Sequence, residues 1–118
     1  MKRNIKLAVY GTLKRGHGNW SYFLKDANYL GKVKTDKNYS LVVAGLPYMI
    51  ERAGTGVKGE LFEINEQELA AIDRLEGNPT FYERKSITVT DEAGNKIEVY
   101  AYVHPDTFPD TVELREEY

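Results

Sequence analysis

Residues 57–77, "VKGELFEINEQELAAIDRLEG", place a strand directly before a helix, and this unit decides the fold. The first part, "VKGELFEI", is a short apolar run of the kind that forms a strand. Asn65 is a good N-cap, and Glu68 follows three residues later, where a capping box places its acid. Gly77 and Pro79 are residues that end helices. The segment therefore predicts a strand followed by a helix over residues 66–75.

The helix carries one carboxylate on its apolar side. Positions three, four and seven apart share a face of a helix, so Glu76 falls between Leu69 and Ile72. Burying a carboxylate costs several kcal/mol unless it is paired or protonated, and desolvation raises its pKa toward the range useful for proton transfer. Glu76 is therefore a candidate acid–base residue. The alternative is a carboxylate that reaches solvent or pairs with Arg84.

Short strand patterns fill most of the remaining chain. "ERKSITVTD" and "KIEVYAYVH" alternate well and flank "EAGN", which predicts a hairpin. Asn19 is a candidate cap for a short helix through "WSYFLKD". Further strands are expected in residues 5–10, 29–35, 39–45 and 47–51. One main helix among many short strands predicts an α+β fold on a curved sheet or small barrel, in a single domain of residues 1–118.

Composition excludes several classes of protein. The 118 residues are 42% hydrophobic and include nine tyrosines, which fits a globular, β-rich chain. A net charge of −2 gives no general attraction to nucleic acid or anionic lipid. The absence of cysteine excludes disulfides and thiolate chemistry. Because the N-terminal apolar run is too short for a signal peptide or membrane span, we expect a soluble, cytoplasmic protein.

The segment "VYGTLKRG", residues 9–16, is a strand that runs into a glycine-containing turn. Such turns present consecutive backbone N–H groups that bind carboxylate or phosphate. The spacing to a Lys-Ser or Lys-Thr pair is missing, so it is not a P-loop. The alternative is that Gly11 only allows the chain to turn, and that Lys14 and Arg15 are solvated charges.

The histidines and serines suggest no further site. His17 lies in the glycine loop and His104 ends a strand, and no third ligand stands at a metal-like spacing. Ser21, Ser40 and Ser86 lie in no nucleophile-elbow context. We therefore expect neither a metal nor a cofactor.

Three segments in order resemble one family. They are "YGTLKRG" near the N-terminus, "LVVAGLPYMI" in the middle, and "VKGELFEINEQELAAIDRLEGNPTFYERKSITV" after it. Together they are similar to the gamma-glutamylcyclotransferase-like proteins, most of all to the gamma-glutamylamine cyclotransferases. The resemblance runs from about Leu7 to Pro109.

The resemblance implies a small β-barrel of mixed strands flanked by helices. It also implies a pocket between the glycine loop and the end of the long helix. Glu76 matches the family's catalytic glutamate, and Thr12 replaces a serine found in many members. Some members place an aromatic hydroxyl on the last strand, and Tyr102 is a candidate for that position. The implied substrate-binding loop consists of Tyr10, Gly11, Thr12 and Leu13.

The activity implied by the resemblance is metal-free release of 5-oxoproline and a free amine from a γ-glutamyl-amine. The expected partner is this small-molecule substrate, with no nucleic acid or membrane, and the expected state is a monomer. Two alternatives stay open. One is a non-catalytic binding or regulatory module that recognises a glutamyl-like metabolite in the same pocket. The other is a structural or interaction protein on a shared fold.

Overall fold

The computed structural model describes residues 2–118, which form a five-stranded barrel, a separate hairpin and two helices. The strands are β1 (Ile5–Val9), β2 (Asn28–Thr35), β3 (Ser40–Ala44), β4 (Leu46–Ile50), β5 (Lys58–Ile64), β6 (Glu83–Asp91) and β7 (Lys96–Val103). The helices are α1 (Trp20–Phe23) and α2 (Glu66–Glu76). The barrel closes in the order β1-β5-β2-β6-β7, while β3 and β4 pair with each other. This arrangement confirms the expected α+β fold on a small barrel of mixed strands.

The barrel is closed through its first strand. β1 pairs antiparallel with β5, where Leu7 lies opposite Phe62. On its other side β1 runs parallel to β7, where Leu7 lies opposite Tyr100. The remaining barrel pairs are antiparallel, including the hairpin of β6 and β7 that the sequence predicts. Because the barrel is closed, each of its five strands is paired on both sides along at least part of its length.

Two hydrophobic clusters lie on opposite faces of the barrel strands. Side chains alternate along a strand, so Ala8 belongs to one cluster while Leu7 and Val9 belong to the other. The cluster with Ala8 draws residues from all five strands and fills the barrel interior. The cluster with Leu7 includes Ile72 of α2, which is fully buried. The helices therefore cover the outer face of the barrel.

The long helix α2 has the caps that the sequence predicts. The Asn65 side chain accepts the backbone N–H of Glu68 at 2.8 Å, and the Glu68 carboxylate accepts that of Asn65 at 2.9 Å. Gly77 ends the helix in the left-handed conformation at φ 67°, where a side chain would be strained. The helix runs to Glu76, one residue beyond the expected end.

The predicted cap of α1 is wrong. Asn19 makes no side-chain bond to the helix, because its backbone is helical (φ −87°, ψ −16°) rather than extended as a capping residue requires. Its side chain instead donates to the Thr12 hydroxyl at 2.8 Å. The helix is also shorter than expected and ends at Phe23.

The C-terminal segment packs against β3, although no pattern in the sequence predicts this contact. Leu41 of β3 and Arg115 exchange two backbone hydrogen bonds of 3.0 and 2.8 Å. Glu116 pairs with Lys34 at 3.0 Å and with Lys58 at 3.1 Å. Among residues 2–118, no helix has the length and apolar character needed to cross a membrane.

Candidate active site

A cavity of about 200 Å³ lies between the loop after β1, the end of α2 and the β3–β4 hairpin. The five residues expected at the site, Glu76 and Tyr10 to Leu13, all line it. Its lining residues are Ala8, Val9, Tyr10, Gly11, Thr12, Leu13, Asn19, Leu46, Pro47, Leu75, Glu76, Phe81, Tyr82 and Tyr102. The structure thus brings together residues that are far apart in the sequence, from Ala8 to Tyr102.

Glu76 contributes the carboxylate of this cavity. Burial among apolar and aromatic side chains raises the pKa of Glu76 from 4.5 to about 7. No lysine, arginine or histidine belongs to the lining within residues 2–118, so no cation there offsets the desolvation. At neutral pH the group is therefore divided between acid and carboxylate, the state that general acid–base catalysis favours.

The suggested pair between Glu76 and Arg84 is wrong, because Arg84 is paired with another carboxylate. The Arg84 guanidinium lies 3.0 Å from Asp73, one helical turn before Glu76, and stacks on the ring of Tyr100. The Tyr102 hydroxyl donates to the same Asp73 oxygen at 2.6 Å. This network ties the last turns of α2 to β6 and β7, and so fixes the element that carries Glu76.

Gly11 is needed for a close approach between the loop and the hairpin. A β-carbon at Gly11 would lie only 2.6 Å from Cγ of Pro47, which lies in β4. Gly11 is not among the glycines with positive φ, so sterics rather than backbone conformation require it. Its carbonyl accepts the N–H of Lys14 at 3.0 Å, which closes the turn.

The loop is held by contacts between Thr12 and Asn19. The Asn19 side chain donates to the Thr12 hydroxyl, and the backbone N–H of Asn19 donates to the carbonyl of Thr12 at 3.0 Å. Because that hydroxyl accepts one bond, its own proton is available for a ligand. In the turns and loops of residues 2–118, the N–H groups of Gly11, Thr12 and Leu13 are donors in no backbone–backbone hydrogen bond.

Two loop side chains that line the cavity also hold the fold together. The Tyr10 hydroxyl donates to the carbonyl of Tyr102 at 2.7 Å, and burial raises the pKa of Tyr10 well above its usual value. Leu13 is 4% exposed and packs with Leu24 and Ile72 in the outer cluster. Leu13 can therefore offer a ligand little beyond its backbone.

Comparisons with known proteins identify the family of this chain. Residues 7–117 match the family model described as gamma-glutamyl cyclotransferase, AIG2-like. The chain belongs to this family. It is thus an enzyme of the cyclotransferase type, similar to the gamma-glutamylamine cyclotransferases.

Individual relatives cover most of this cyclotransferase. A Methanocaldococcus jannaschii protein, provisionally named a gamma-glutamylcyclotransferase, is 36% identical over 84% of this chain and 83% of its own. The gamma-glutamylaminecyclotransferase of Mus musculus is 30% identical over 90% of this chain and 82% of its own. The crystal structure of an AIG2-like protein of Mus musculus superposes with a TM-score of 0.86 at 29% identity, over 99% of this chain and 89% of that one.

Several lining residues of this cyclotransferase were not anticipated as site residues. Pro47 and Tyr82 meet across the cavity, where the Tyr82 hydroxyl donates to the carbonyl of Pro47 at 2.8 Å. Leu46, Leu75 and Phe81 line the cavity as well. An apolar residue beside a turn has the same pattern whether it lines a cavity or packs in a core, so the sequence held no signal to separate the two.

The histidines and the other acids lie outside the cavity lining. His17 contacts Tyr118, with ring centroids 5.7 Å apart. His104 packs among aromatic rings, and its Nδ1 lies 2.9 Å from the carbonyl of Pro105. Glu83 is exposed. Within residues 2–118, no group of three or more histidine or acidic side chains is arranged to hold a metal ion.

Proposed function

We propose that this cyclotransferase converts a γ-glutamyl-amine into 5-oxoproline and a free amine, with Glu76 as the catalytic residue. The observation that supports the proposal is the position of Glu76. It is the only aspartate or glutamate among the described residues that line the cavity, and burial raises its pKa to about 7.

The reaction is an intramolecular aminolysis. Glu76 takes a proton from the α-ammonium group of the γ-glutamyl substrate, and the freed amine attacks the γ-carbonyl carbon. The new carbon–nitrogen bond closes the five-membered ring. Glu76 then gives that proton to the departing nitrogen as the original amide bond breaks, and the ring nitrogen loses its second proton to the released amine, which leaves as an ammonium ion. The balance needs no water, metal or redox partner.

The loop of Tyr10 to Leu13 supplies the binding part of the mechanism. The N–H groups of Gly11, Thr12 and Leu13 are suited to hold the α-carboxylate or the developing oxyanion. The Thr12 hydroxyl, fixed by Asn19, adds a further donor. Holding the glutamyl chain in its cyclising conformation supplies the orientation that makes the ring closure fast.

The test separates cyclisation from ordinary amide hydrolysis. The protein is incubated in ¹⁸O-labelled water with γ-glutamyl-ε-lysine and with the same compound acetylated on its glutamyl α-nitrogen. We expect unlabelled 5-oxoproline from the free compound and no product from the acetylated one, because acetylation removes the nucleophile. Labelled glutamate from the free compound, or cleavage of the acetylated compound, would identify a hydrolase instead.

A further inference from the structure

Glu60 is a charged residue on an apolar face of β5. Side chains alternate along a strand, so Glu60 lies on the same face as Phe62 and Ile64, which belong to the outer hydrophobic cluster. Its partner on β1, Val9, belongs to that cluster as well. The Glu60 side chain is only 13% exposed. A carboxylate in this position needs strong partners, because desolvating it without them is costly.

The partners of Glu60 come from the far end of the loop after β1. The backbone N–H of Arg15 donates to Oε1 of Glu60 at 2.7 Å. The Arg15 guanidinium lies 3.6 Å from the other carboxylate oxygen and 3.5 Å from the ring centroid of Tyr29. Because the Arg15 side chain is 46% exposed, solvent weakens its ion pair. The charge-assisted hydrogen bond to the backbone is therefore the stronger constraint on the loop.

Glu60 thus holds the loop at both of its ends. Its backbone lies in register with Val9, the last residue before the loop, and its side chain binds Arg15, which follows the loop's binding residues. The N–H groups that the proposed reaction uses, those of residues 11–13, lie between these two points. Donors of this kind stabilise a developing charge only when they are fixed before the substrate arrives.

The contact with β5 complements the contact with α1. Asn19 binds Thr12 and so ties the loop to the start of α1. Glu60 ties the next turn of the loop to the barrel strand beside it. Without an acceptor at position 60, the N–H of Arg15 loses its partner, and the loop is free to shift relative to the barrel.

We infer that Glu60 is a positioning residue for the loop of Tyr10 to Leu13, whose backbone donors it fixes by holding the N–H of Arg15. This inference rests on the proposed function, since it assigns those donors to the substrate. It has a specific consequence. The reach of the side chain at position 60 matters more than its charge, because an amide oxygen accepts an N–H as a carboxylate oxygen does.

The test measures kcat and KM for 5-oxoproline release from γ-glutamyl-ε-lysine. Glu60→Leu removes the acceptor and should lower kcat/KM by roughly tenfold to a hundredfold, the cost of a small misplacement of binding groups. Glu60→Gln keeps an oxygen at the same reach and should recover most of the parental value. Arg15→Met removes the ion pair but keeps the backbone N–H, so its loss should be smaller than that of Glu60→Leu.

A matched control and two further measurements separate positioning from a purely structural role. Glu63→Leu lies on the same strand and removes a comparable ion pair, with Lys6 at 3.7 Å, but does not line the cavity and should keep the parental kcat/KM. Thermal melting shows which variants are folded at the assay temperature. Hydrogen exchange of the Arg15 amide, followed by NMR, should be slow in the parent and in Glu60→Gln and fast in Glu60→Leu.

A second variant replaces Glu60→Leu if that variant does not fold. Glu60→Asp retains the charge but shortens the side chain by one methylene group, so the carboxylate no longer reaches the N–H of Arg15. We expect its kcat/KM to lie below that of Glu60→Gln. The reverse order would show that charge rather than reach is required, and would overturn the inference.

The remaining outcomes distinguish this inference from the proposed function. Parental kcat/KM in a folded Glu60→Leu, an equal loss in Glu63→Leu, or unchanged exchange of the Arg15 amide would overturn the inference while 5-oxoproline is still formed. Failure of the parent protein to form 5-oxoproline would overturn the proposed function, and with it the assignment of the held loop to substrate binding.

Discussion

Glu76 links the pH dependence of stability to the chemistry proposed for it. Its pKa is about 7 in the folded protein against 4.5 for an unperturbed group, so the folded state holds the proton more tightly than the unfolded state. Stability therefore falls as the pH rises from about 4.5 to about 7, and each pKa unit corresponds to about 1.4 kcal/mol. Above that range the full cost of the buried charge is present.

Replacing the carboxyl by an amide tests both roles. Glu76→Gln keeps the shape but cannot exchange a proton, so turnover should fall by about a hundred- to ten-thousandfold. The variant also has no charge to bury. Its melting temperature should exceed that of the parent at pH 8, by a margin that shrinks toward pH 5.

Glu83→Gln is the control for this substitution, because Glu83 is exposed and lies outside the cavity lining. It should leave both turnover and the pH dependence of melting as in the parent. Parental activity of Glu76→Gln on a verified substrate would show that another group moves the proton.

Gly11 tests the contact between loop and hairpin. In Gly11→Ala the new methyl group lies 2.6 Å from Pro47 Cγ, so the loop or the hairpin must move. We expect a loss of about 1–3 kcal/mol in the free energy of unfolding, measured by urea denaturation, together with reduced turnover. Gly18→Ala in the same loop meets no atom within 4 Å and should change neither quantity by much. Equal effects of the two substitutions would contradict the steric role of Gly11.

For single residues, the sequence predicted the face of the helix on which a side chain lies better than it predicted the groups around that side chain. The helical period placed Glu76 on the apolar face of α2, and the structure places it in an apolar cavity. The sequence did not show that Arg84 is occupied by Asp73, since the residues meet only when α2 packs on the barrel. It also could not show that the Thr12 hydroxyl is bonded to Asn19, whereas the Tyr10 hydroxyl is bonded to the carbonyl of Tyr102.

Among the elements, α2 depends on side chains outside the helix for its orientation. Asp73 accepts a hydrogen bond from Tyr102 and forms an ion pair with Arg84, and these two residues lie on the two strands of the last hairpin. The register places Arg84 directly opposite Tyr102, so both reach the same carboxylate. The helix end is therefore held by a contact that only the completed hairpin provides.

Tyr102→Phe tests this contact. The substitution removes one hydrogen bond to a charged acceptor, and we expect the free energy of unfolding to fall by roughly 1–3 kcal/mol. If the network positions Glu76, kcat should fall more than KM changes, and the pH profile should shift. Tyr100→Phe on the same strand is the control, because Tyr100 is exposed and contacts Arg84 through its ring. If the parent and Tyr102→Phe have equal kcat and KM, the network of Asp73, Arg84 and Tyr102 has only a structural role.

The elements themselves were largely predictable. Alternation over residues 83–91 and 96–103 gave the hairpin, and the capping box gave the start of α2, because both signals are local. The predicted cap at Asn19 is wrong because asparagine is a favourable capping residue by type, while its side chain here is hydrogen-bonded to Thr12. The C-terminal segment was missed because its pairing with β3 has no periodic signal.

For the whole molecule, the proposed chemistry predicts activity without metal. The ring closure uses the substrate's own amine and needs no activated water. Dialysis against a chelator should leave turnover and melting temperature unchanged. A matched sample dialysed without chelator is the control, and a loss restored by zinc or magnesium would contradict the prediction.

The sequence indicated a curved sheet or small barrel, and the family resemblance implied the barrel itself, but neither gave its strand order. Closure requires β1 to lie between β5 and β7, and such pairing between distant segments leaves no trace in local patterns. The walls of the cavity likewise come from distant segments, namely residues 8–13, 19, 46–47, 75–76, 81–82 and 102. Five of the residues that line the cavity could thus be predicted, while the apolar residues Leu46, Leu75 and Phe81 could not.

The parallel contact between β1 and β7 has a consequence for how the protein folds. It joins the first strand of the chain to the last strand. A contact between such distant segments forms only after the entropy cost of closing the long loop between them has been met. We therefore expect refolding on the millisecond-to-second scale typical of β-rich topologies. Since the loop after β1 and Tyr102 of β7 meet only on closure, catalytic competence should return in one late step.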